Sequence, residues 1–404
     1  MGNLNKPNIR FPEFEREWIK NTLGEIAGFS KGKGLSKSDI SENGATECIR
    51  YGELYTTYNE TIDAVYSKTN INPADLVLSE ANDIIVPASG ETHIDIAKAS
   101  CVLKSGVALG GDLNIIKTSN NGVFLSYYLN SKKKNDIAQL AQGISVVHLY
   151  SGQISKLLLN LPSLPEQQKI ASLFTAIDHK LYQLKQKKIL LEQYKKGVMQ
   201  KIFSQEIGFK DEDGQEFPKW EKKRLDNVIS NFIVPMRDKP KELKGDIPWC
   251  RIEDFDGKYL VKSKSNQGVN KETVKRMNLK VYPVNTLLVS CSANLGFCSI
   301  VKKELVTNQT FIGLVPNGNA INVEFLFYVM VLSARKLNSL SSGTTISYLS
   351  REQFEKFNIQ IPSQPEQTKI ANFLSAIDDK INHTQKQIEK AEVWKKGLMQ
   401  QMFV

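Results

Sequence analysis

The segment LPSLPEQQKIASLFTAIDHK at residues 161–180 decides the fold, because it returns as IPSQPEQTKIANFLSAIDDK at residues 361–380. The match lapses after residue 180 and resumes in the same register, with EQYKKGVMQKIF at 192–203 and EVWKKGLMQQMF at 392–403. No gap is needed between the two copies, so both form one element of one length. The chain is therefore predicted to be a tandem duplication.

Weaker sequence similarities extend the repeat over both halves of the chain. WIKNTLGEIA at 18–27 parallels WEKKRLDNVI at 220–229, and NDIIV at 82–86 parallels NTLLV at 285–289. Each half consists of a long divergent stretch and a shorter, closely similar one, lengths that fit one domain plus one long element. We predict globular domains at 1–160 and 205–360, followed by long helices at 161–204 and 361–404.

Each closely similar segment has the apolar spacing of a heptad seam, which predicts a long amphipathic helix. A serine followed three residues later by glutamate predicts a capping box at the helix start, with a proline in the first turn, where its missing N–H is harmless. These start signals are Ser163, Pro165 and Glu166, repeated as Ser363, Pro365 and Glu366. The seam residues are Ile170, Phe174, Ile177, Leu181, Leu184, Leu191 and Val198 in the first copy and Ile370, Leu374, Ile377, Ile381, Ile388 and Leu398 in the second.

The two helices are predicted to pair with each other as an antiparallel coiled coil, since they stand at equivalent places in a duplicated chain. At 1.5 Å per residue, a helix of about 40 residues is roughly 60 Å long. A coil between two chains is equally compatible with the heptads and stays open. Lys188, Lys195 and Lys395 fall on the seam, where a dry coil disfavours charge. Part of each helix is therefore expected to be solvated or to meet another protein.

The divergent halves carry mainly short β-type runs, such as DIIVP and TFIGLVP, broken by Gly, Asn, Ser and Pro. The best helical periodicity in each half lies at 123–140 and at 323–340, each run ending near a glycine. The predicted fold class is α+β, a tandem duplication of a mixed α/β domain in which each copy precedes a long helix.

Composition fits a folded protein with an acidic partner. The 404 residues are 41% hydrophobic and 24% charged, with a formal net charge of +10. Nucleic acid is a plausible partner for that charge. Five cysteines without a CxxC pair suit reduced thiols in a cytosol. The apolar runs are too short to cross a bilayer, and the start has no signal-like segment, so a cytoplasmic protein without a membrane partner is expected.

Motifs of self-contained catalysis are missing from the sequence. It has no GxxxxGK[ST] loop, no GxGxxG after a strand, no HExxH, no EF-hand loop and no GxSxG elbow. The segment GFSKGKGLSK at 28–37 lacks the phosphate-loop spacing and is interpreted as a flexible surface loop. Four histidines show no ligand spacing. We expect no catalytic residue, bound cofactor or His/Cys metal site in this chain, while a site made of carboxylates alone stays open.

The repeated P-x-P-E-Q-x-K-I-A…A-I-D-x-K and K-K-G-x-M-Q-x-x-F segments are similar to those of the specificity subunits of type I restriction-modification systems. The resemblance implies a non-catalytic chain whose two target-recognition domains each read one half of a split double-stranded DNA target. It implies that the long helices set the separation of the halves and dock two methyltransferase subunits, with two restriction subunits completing the complex. S-adenosylmethionine, ATP and Mg would then belong to those partners, for adenine-N6 methylation, translocation and cleavage.

Candidate DNA-binding residues come from basic and polar loops, because phosphates attract Lys and Arg while base edges need hydrogen-bonding groups. Arg50 and Arg251 carry the most weight, since they occupy similar places in the two halves, just before YGELYTTY and IEDFDGKY. The full set is Lys31, Lys33, Lys37, Arg50, Ser89 and Gly143 in the first half, and Arg237, Lys239, Lys241, Arg251, Ser292, Asn294 and Thr344 in the second.

A rigid helical rod between two readers predicts half-sites about one DNA turn apart. Inserting about four residues between Lys185 and Lys188, one helical turn, is then expected to lengthen the recognised gap by one or two base pairs. Two alternatives remain at this point. One is a coiled-coil scaffold that joins proteins, and the other is a stand-alone nuclease or methyltransferase that uses carboxylates.

Overall fold

The computed structural model describes residues 6–144, 146–235, 239–291, 296–340 and 349–404. The chain divides into two units. Unit 1 is Met1–Lys188 together with His383–Val404, and unit 2 is Ile189–Asn382. Each unit thus holds one divergent domain, the first part of the long helix that follows it and the last part of the other long helix.

Unit 1 contains twelve short strands within the residues described above. They are β1 Ile19–Thr22, β2 Ala27–Lys31, β3 Thr46–Ile49, β4 Thr61–Ile62, β5 Ser67–Thr69, β6 Asp83–Pro87, β7 Ser89–Gly90, β8 Ser100–Val102, β9 Ala108–Leu109, β10 Leu113–Thr118, β11 Val147–His148 and β12 Leu158–Leu161. The helices are α1 Leu23–Ile26, α2 Tyr51–Thr56, α3 His93–Ile96, α4 Gly122–Ser131, α5 Lys134–Leu140, α6 Ser151–Ile154 and α7 Leu164–Phe203, the last continuing into unit 2.

Unit 2 has a similar order of elements, with ten strands within its described residues. Its strands are β13 Glu221–Arg224, β14 Ile229–Ile233, β15 Ile247–Cys250, β16 Tyr259–Leu260, β17 Gly268–Val269, β18 Leu287–Ser290, β19 Cys298–Val301, β20 Val306–Thr307, β21 Phe311–Pro316 and β22 Asn358–Ile361. Its helices are α8 Lys271–Arg276, α9 Val323–Leu340, α10 Arg351–Glu355 and α11 Gln364–Met402, the last continuing into unit 1.

The sheets of the two units share one topology. Each has a mixed five-stranded sheet, in the order β2-β10-β6-β8-β4 in unit 1 and β14-β21-β18-β19-β16 in unit 2. Each also has a three-stranded sheet, β5-β3-β9 or β17-β15-β20, and an antiparallel pair, β1-β12 or β13-β22, directly before its long helix. The predicted α+β fold and its tandem duplication are confirmed.

The predicted helix at 123–140 is wrong in one respect, because the chain forms two helices, α4 and α5, with a break at Lys132 and Lys133. The Ser131 hydroxyl donates to the carbonyl oxygens of Tyr127, at 2.7 Å, and Tyr128, at 3.3 Å. Such back-bonding competes with the helical ladder, and three consecutive lysines add like-charge repulsion. In unit 2, α9 is continuous over Val323–Leu340, as the periodicity predicts.

The long helices begin close to the predicted serines, but the predicted capping boxes do not form. Glu166 accepts from Arg10 Nε at 2.8 Å and from Trp18 Nε1 at 3.3 Å instead of reaching back to the backbone of Ser163. In the second copy the Ser363 hydroxyl and Glu366 Oε2 are buried without a hydrogen-bond partner within the described part of the chain. Both glutamates are buried, so they serve tertiary contacts and not a solvent-exposed cap.

The predicted seam stripe lies largely in the cores of the two units. Phe174 is fully buried, with its ring 5.1 Å from Tyr127 and 5.6 Å from Phe403. The first turns of each helix therefore complete a domain core as well as facing the other helix. Buried stripe residues are Ile170, Phe174, Ile177, Leu181, Leu184, Ile370, Leu374, Ile377 and Ile388. Half-buried ones are Leu191, Val198, Ile381 and Leu398.

The helices α7 and α11 contact each other within each unit and run antiparallel. In unit 1, Lys188 Nζ donates to Gln385 Oε1 at 2.8 Å, and Lys185 Nζ lies 2.7 Å from Glu392 Oε1. As the residue number rises along one helix it falls along the other. The seam lysine Lys188 thus has a partner inside the chain. Among the described helices, none combines the length and apolarity that a membrane span requires.

Candidate nucleic-acid interface

One strand edge carries an arginine in each unit. In unit 1, β3 runs parallel to β9, with Ile49 opposite Leu109. In unit 2, β15 runs parallel to β20, with Cys250 opposite Thr307. The carboxyl ends of parallel neighbours meet at the same edge of a sheet, where loops present polar side chains. Arg50 follows β3 and Arg251 follows β15, so the two arginines singled out from the sequence occupy equivalent sites.

The backbone at Arg50 is held by Glu53, and that of the preceding residue by the glycine after β9. Its N–H donates to Glu53 Oε2 at 2.7 Å, and its Nε lies 3.9 Å from the same carboxylate oxygen. The N–H of Gly110 donates to Ile49 O at 2.9 Å. A Cβ at Gly110 would lie 3.3 Å from Ile49 O, a tight contact, and 3.5 Å from the Arg50 Cα, an ordinary one. About a quarter of the Arg50 side chain, 26%, stays exposed.

Arg251 is held by the same local device. Its N–H donates to Asp254 Oδ2 at 2.7 Å. Its guanidinium pairs with Glu253 Oε1 at 3.0 Å and donates to Gln267 Oε1 at 3.2 Å. The side chain is 32% exposed, so its position is fixed while part of it remains available to a ligand. Lys239, another candidate, lines the same cavity as Arg251.

The basic loop at 28–37 is not the freely flexible segment that the sequence predicts. Gly32 donates to Leu113 O at 3.0 Å, and Lys33 donates to Leu109 O at 3.0 Å. Gly32 packs so tightly that a Cβ there would lie 2.0 Å from the carbonyl oxygen of Gly110. These backbone bonds bring Lys33 to the loop that follows β9. Lys33 and Arg50 therefore share one edge of unit 1.

Lys31, Ser89 and Gly143 gather around a small antiparallel pair in the same unit. Ser89 in β7 pairs with His148 in β11, and His148 also bridges to Gln142, next to Gly143. Lys31 Nζ lies 5.9 Å from the centre of the Tyr150 ring. The sequence candidates of the first half thus fall into two neighbouring groups.

Tyrosines that the sequence search missed connect these groups. Tyr55, on the helix that starts after Arg50, donates to Ser89 O at 2.8 Å and packs edge-on against Tyr51, with ring centres 6.2 Å apart. Burial raises the pKa of the Tyr55 hydroxyl well above its usual range. Tyr51 is 38% exposed and Tyr150 50%. Exposed aromatic rings between basic loops are typical of nucleic-acid surfaces, and the run YGELYTTY signals Tyr51 and Tyr55 in the sequence but not Tyr150.

The remaining candidates divide into exposed and undescribed residues. Lys37, in a short 3-10 helix, and Lys241 are exposed and are not brought to either arginine by a hydrogen bond or ion pair described here. Arg237, Ser292, Asn294 and Thr344 lie outside the described residues.

Among the described residues, no three His, Cys, Asp or Glu side chains lie together in a group that could hold a metal ion. The five cysteines are free and buried. Burial raises the pKa of the Cys48 thiol, in β3, to about 11 and that of Cys250, in β15, to about 12. Burial therefore disfavours the reactive thiolate at both cysteines beside the arginine sites.

Comparison with known proteins gives a consistent result. A family model described as the type I restriction modification DNA specificity domain matches the chain twice, at residues 15–193 and 218–393. The two matches coincide with the two copies of the repeat.

Two similar proteins come from Methanocaldococcus jannaschii. The type I restriction enzyme MjaIX specificity subunit is 30% identical over 196 residues, which are 47% of this chain and 45% of that protein. The putative type I restriction enzyme MjaX specificity subunit is 26% identical over 306 residues, 72% of this chain and 70% of its own. The first of these alignments spans less than half of the relative's length.

Two solved structures share the fold. The S subunit of a type I restriction-modification system from M. genitalium aligns over 99% of both chains, with a TM-score of 0.64 and 16% identity. A chain from a structural study of complex assembly and conformational transition in the type I R-M system covers 96% of this chain and 97% of its own, with a TM-score of 0.56 and 15% identity. The tandem architecture is therefore shared along nearly the whole chain.

Proposed function

Because the chain belongs to the family of type I restriction modification DNA specificity domains, we propose that it is a specificity subunit that reads a split double-stranded DNA target. Residues 1–160 and 205–360 act as target-recognition domains, one for each half of the target. The observation that carries this proposal is the repeated strand edge, which presents an arginine in each of two otherwise divergent domains. If two copies of one fold are to read different bases, a DNA-contacting residue must lie at the same position in both copies while its neighbouring residues differ.

Charge and local geometry support DNA as the ligand. A formal charge of +10 favours phosphate contacts, which supply salt-dependent affinity. The Arg251 guanidinium is paired with Glu253 at 3.0 Å, whereas Arg50 Nε lies 3.9 Å from Glu53, and both side chains remain about a quarter to a third exposed. A fixed arginine suits base reading, because little side-chain entropy is lost on binding.

The chain itself is proposed to be non-catalytic and to bind no cofactor. Two methyltransferase subunits dock on the paired long helices, methylate adenine N6 with S-adenosylmethionine and take the target base out of the stack. Two restriction subunits would supply ATP- and Mg-dependent translocation and cleavage. Such a complex works on DNA in the cytoplasm.

The proposal is tested by co-expressing the full chain with the adenine methyltransferase encoded near it and mapping N6-methyladenine across the host DNA by single-molecule sequencing. The expected result is a split motif with specified bases on both sides of a fixed, unspecified gap. A stable complex that yields no split motif would overturn DNA reading and leave the scaffold alternative. Methyl transfer by the purified chain alone would overturn the non-catalytic assignment.

A DNA mobility-shift measurement separates reading from scaffolding independently of the methylation map. With the complex on a duplex that carries the motif, affinity is expected to fall steeply between low and physiological salt. A scrambled duplex is expected to bind more weakly at every salt concentration. Equal affinity for both duplexes would contradict sequence reading.

A further inference from the structure

We infer that a cleft beside Arg251 holds the major-groove edge of one guanine in the half-site read by the second target-recognition domain. The cleft, called here the Arg251 cleft, encloses about 310 Å³. Its lining residues are Lys239, Trp249, Arg251, Asn308 and Gln309. The inference rests on the proposed function and adds to it the residues and the base.

Parallel pairing of β15 with β20 builds the cleft. Trp249 lies opposite Val306, and Cys250 lies opposite Thr307. Arg251 therefore leaves one strand at the point where Asn308 and Gln309 leave the other. The Cys291 N–H donates to Thr310 O at 2.9 Å, and the Thr310 hydroxyl donates to Asn308 Oδ1 at 2.8 Å, so the second loop is anchored. Strand pairing and these bonds therefore set the positions of Arg251 and Asn308 at the sheet edge.

Hydrogen-bond donors dominate the lining. The Arg251 guanidinium is held by Glu253 and Gln267, at 3.0 and 3.2 Å. Trp249 is 1% exposed, and its indole N–H has no hydrogen-bond partner among the residues that the structure describes. A buried donor left unpaired costs free energy, so this indole distinguishes the cleft from an ordinary satisfied core. Lys239 contributes an exposed cation at the rim.

Guanine is the base that the arginine of this lining favours. Its major-groove edge offers two acceptors, N7 and O6, to which arginine donates in the commonest specific contact with DNA. Adenine places a donor, the N6 amino group, beside N7, where a second donor in the cleft would oppose it. Glu253 neutralises part of the arginine charge, which weakens attraction for a phosphate anion but not for a neutral base edge.

Unit 1 presents a different surface at the equivalent place. Gly110 and Gly111 stand where unit 2 has Asn308 and Gln309, and Cys48 occupies the strand position of Trp249. The Arg50 site thus lacks the indole donor and both amide side chains. The two domains keep the arginine and the carboxylate that accepts from its backbone N–H, and they differ in the other residues of the cleft, so two unlike half-sites are expected.

The test uses the full chain in complex with its methyltransferase partner and compares methylation maps. Arg251→Ala is expected to relax one guanine position in one half-site by about 10- to 100-fold, with the gap and the other half unchanged. Arg50→Ala is the matched variant, expected to change only the opposite half. Gln309→Ala, at an exposed residue, tests the same position if Arg251→Ala fails to fold, and a smaller relaxation at that guanine is expected.

Three results would overturn the assignment. A uniform loss of affinity on all sequences would make Arg251 a phosphate contact. Relaxed specificity at a base other than guanine would show that the assigned base is wrong. An unchanged motif in both the Arg251→Ala and Gln309→Ala variants would show that the cleft takes no part in recognition. Each result requires a wild-type map with a split motif. A wild-type map without one would instead defeat the proposed function.

Discussion

Lys395 Nζ lies 2.7 Å from Asp178 Oδ1 in unit 1, and in unit 2 the same pair recurs in mirror order, with Lys195 Nζ 2.5 Å from Asp378 Oδ1. Each aspartate also accepts from a tyrosine hydroxyl, Tyr127 at 2.5 Å or Tyr328 at 2.6 Å. The aspartate of an A-I-D-x-K segment on one long helix therefore pairs with the lysine of a K-K-G segment on the other, and this ion pair occurs in both units. Lysines that looked misplaced on a coiled-coil seam have partly buried partners.

Removing the Lys395 ammonium is expected to destabilise unit 1. Lys395→Met leaves Asp178 and Glu60 without their shared cation, 2.7 and 3.2 Å away. The cost is about 2 kcal/mol of unfolding free energy, less than a fully buried pair would give because Asp178 keeps 25% exposure. Denaturant unfolding measures it.

Lys396→Met is the matched control for this charge removal, because Lys396 is exposed and no ion pair is described for it. It is expected to change the free energy of unfolding by less than about 0.5 kcal/mol. Equal destabilisation by both substitutions would show that charge in general, and not the contact with Asp178, matters here.

Glu166 and Glu366, at equivalent places in the two long helices, are expected to change stability in opposite directions when each is replaced by glutamine. Glu166 is paired with Arg10, so Glu166→Gln should lower the unfolding free energy by about 2 kcal/mol. Among the described residues, no cation is paired with Glu366. Burial, opposed by a hydrogen bond from Trp220 and reinforced by Glu216, raises its pKa.

The raised pKa fixes the sign of the pH dependence for Glu366. Its protonated form is favoured in the folded state, so the stability that it contributes is present at low pH and is lost as the pH rises through the folded pKa. Glu366→Gln is expected to match the parent chain near pH 4 and to exceed its stability near pH 7. Parallel unfolding series at the two pH values measure this difference, and a constant difference would contradict it.

The repeat, the long helices and the fold class could be predicted because their signals are local or periodic. The partners of Glu166 could not, since Arg10 and Trp18 lie far away in the sequence and nothing local distinguishes a capping glutamate from one in a tertiary ion pair. The same limit applies to the site. Arg50 and Arg251 stand out by position, but their neighbours Gly110 and Asn308 arrive only through parallel strand pairing.

The buried thiols are expected to resist labelling. Burial raises the pKa of Cys101 to about 12 and that of Cys291 to about 11. Because the reactive form is the thiolate, only a minute fraction reacts at pH 8, and access requires local opening. A disulfide reagent should label the native chain over hours and all five cysteines rapidly in denaturant. Rapid labelling of one thiol in the native chain would contradict this burial.

Gly32 is expected to be indispensable to the first half-site, whereas Gly34, two residues on, is not. A Cβ at Gly32 would lie 2.0 Å from Gly110 O and 2.5 Å from Leu109 O, two backbone atoms that cannot move without shifting the loop beside Arg50. A Cβ at Gly34 meets nothing within 4 Å. Gly32→Ala should therefore cost more than about 2 kcal/mol in unfolding free energy, and Gly34→Ala should be near neutral.

The methylation map distinguishes a local from a global effect of Gly32→Ala. If the complex still assembles, the shifted loop is expected to relax or abolish reading of the half assigned to Arg50, while the half assigned to Arg251 keeps its bases. The same experiment on Gly34→Ala should return the parent motif in both halves. Equal loss of both halves in the Gly32→Ala map would mean that the substitution unfolds the chain as a whole and that the loop has no separate role in reading.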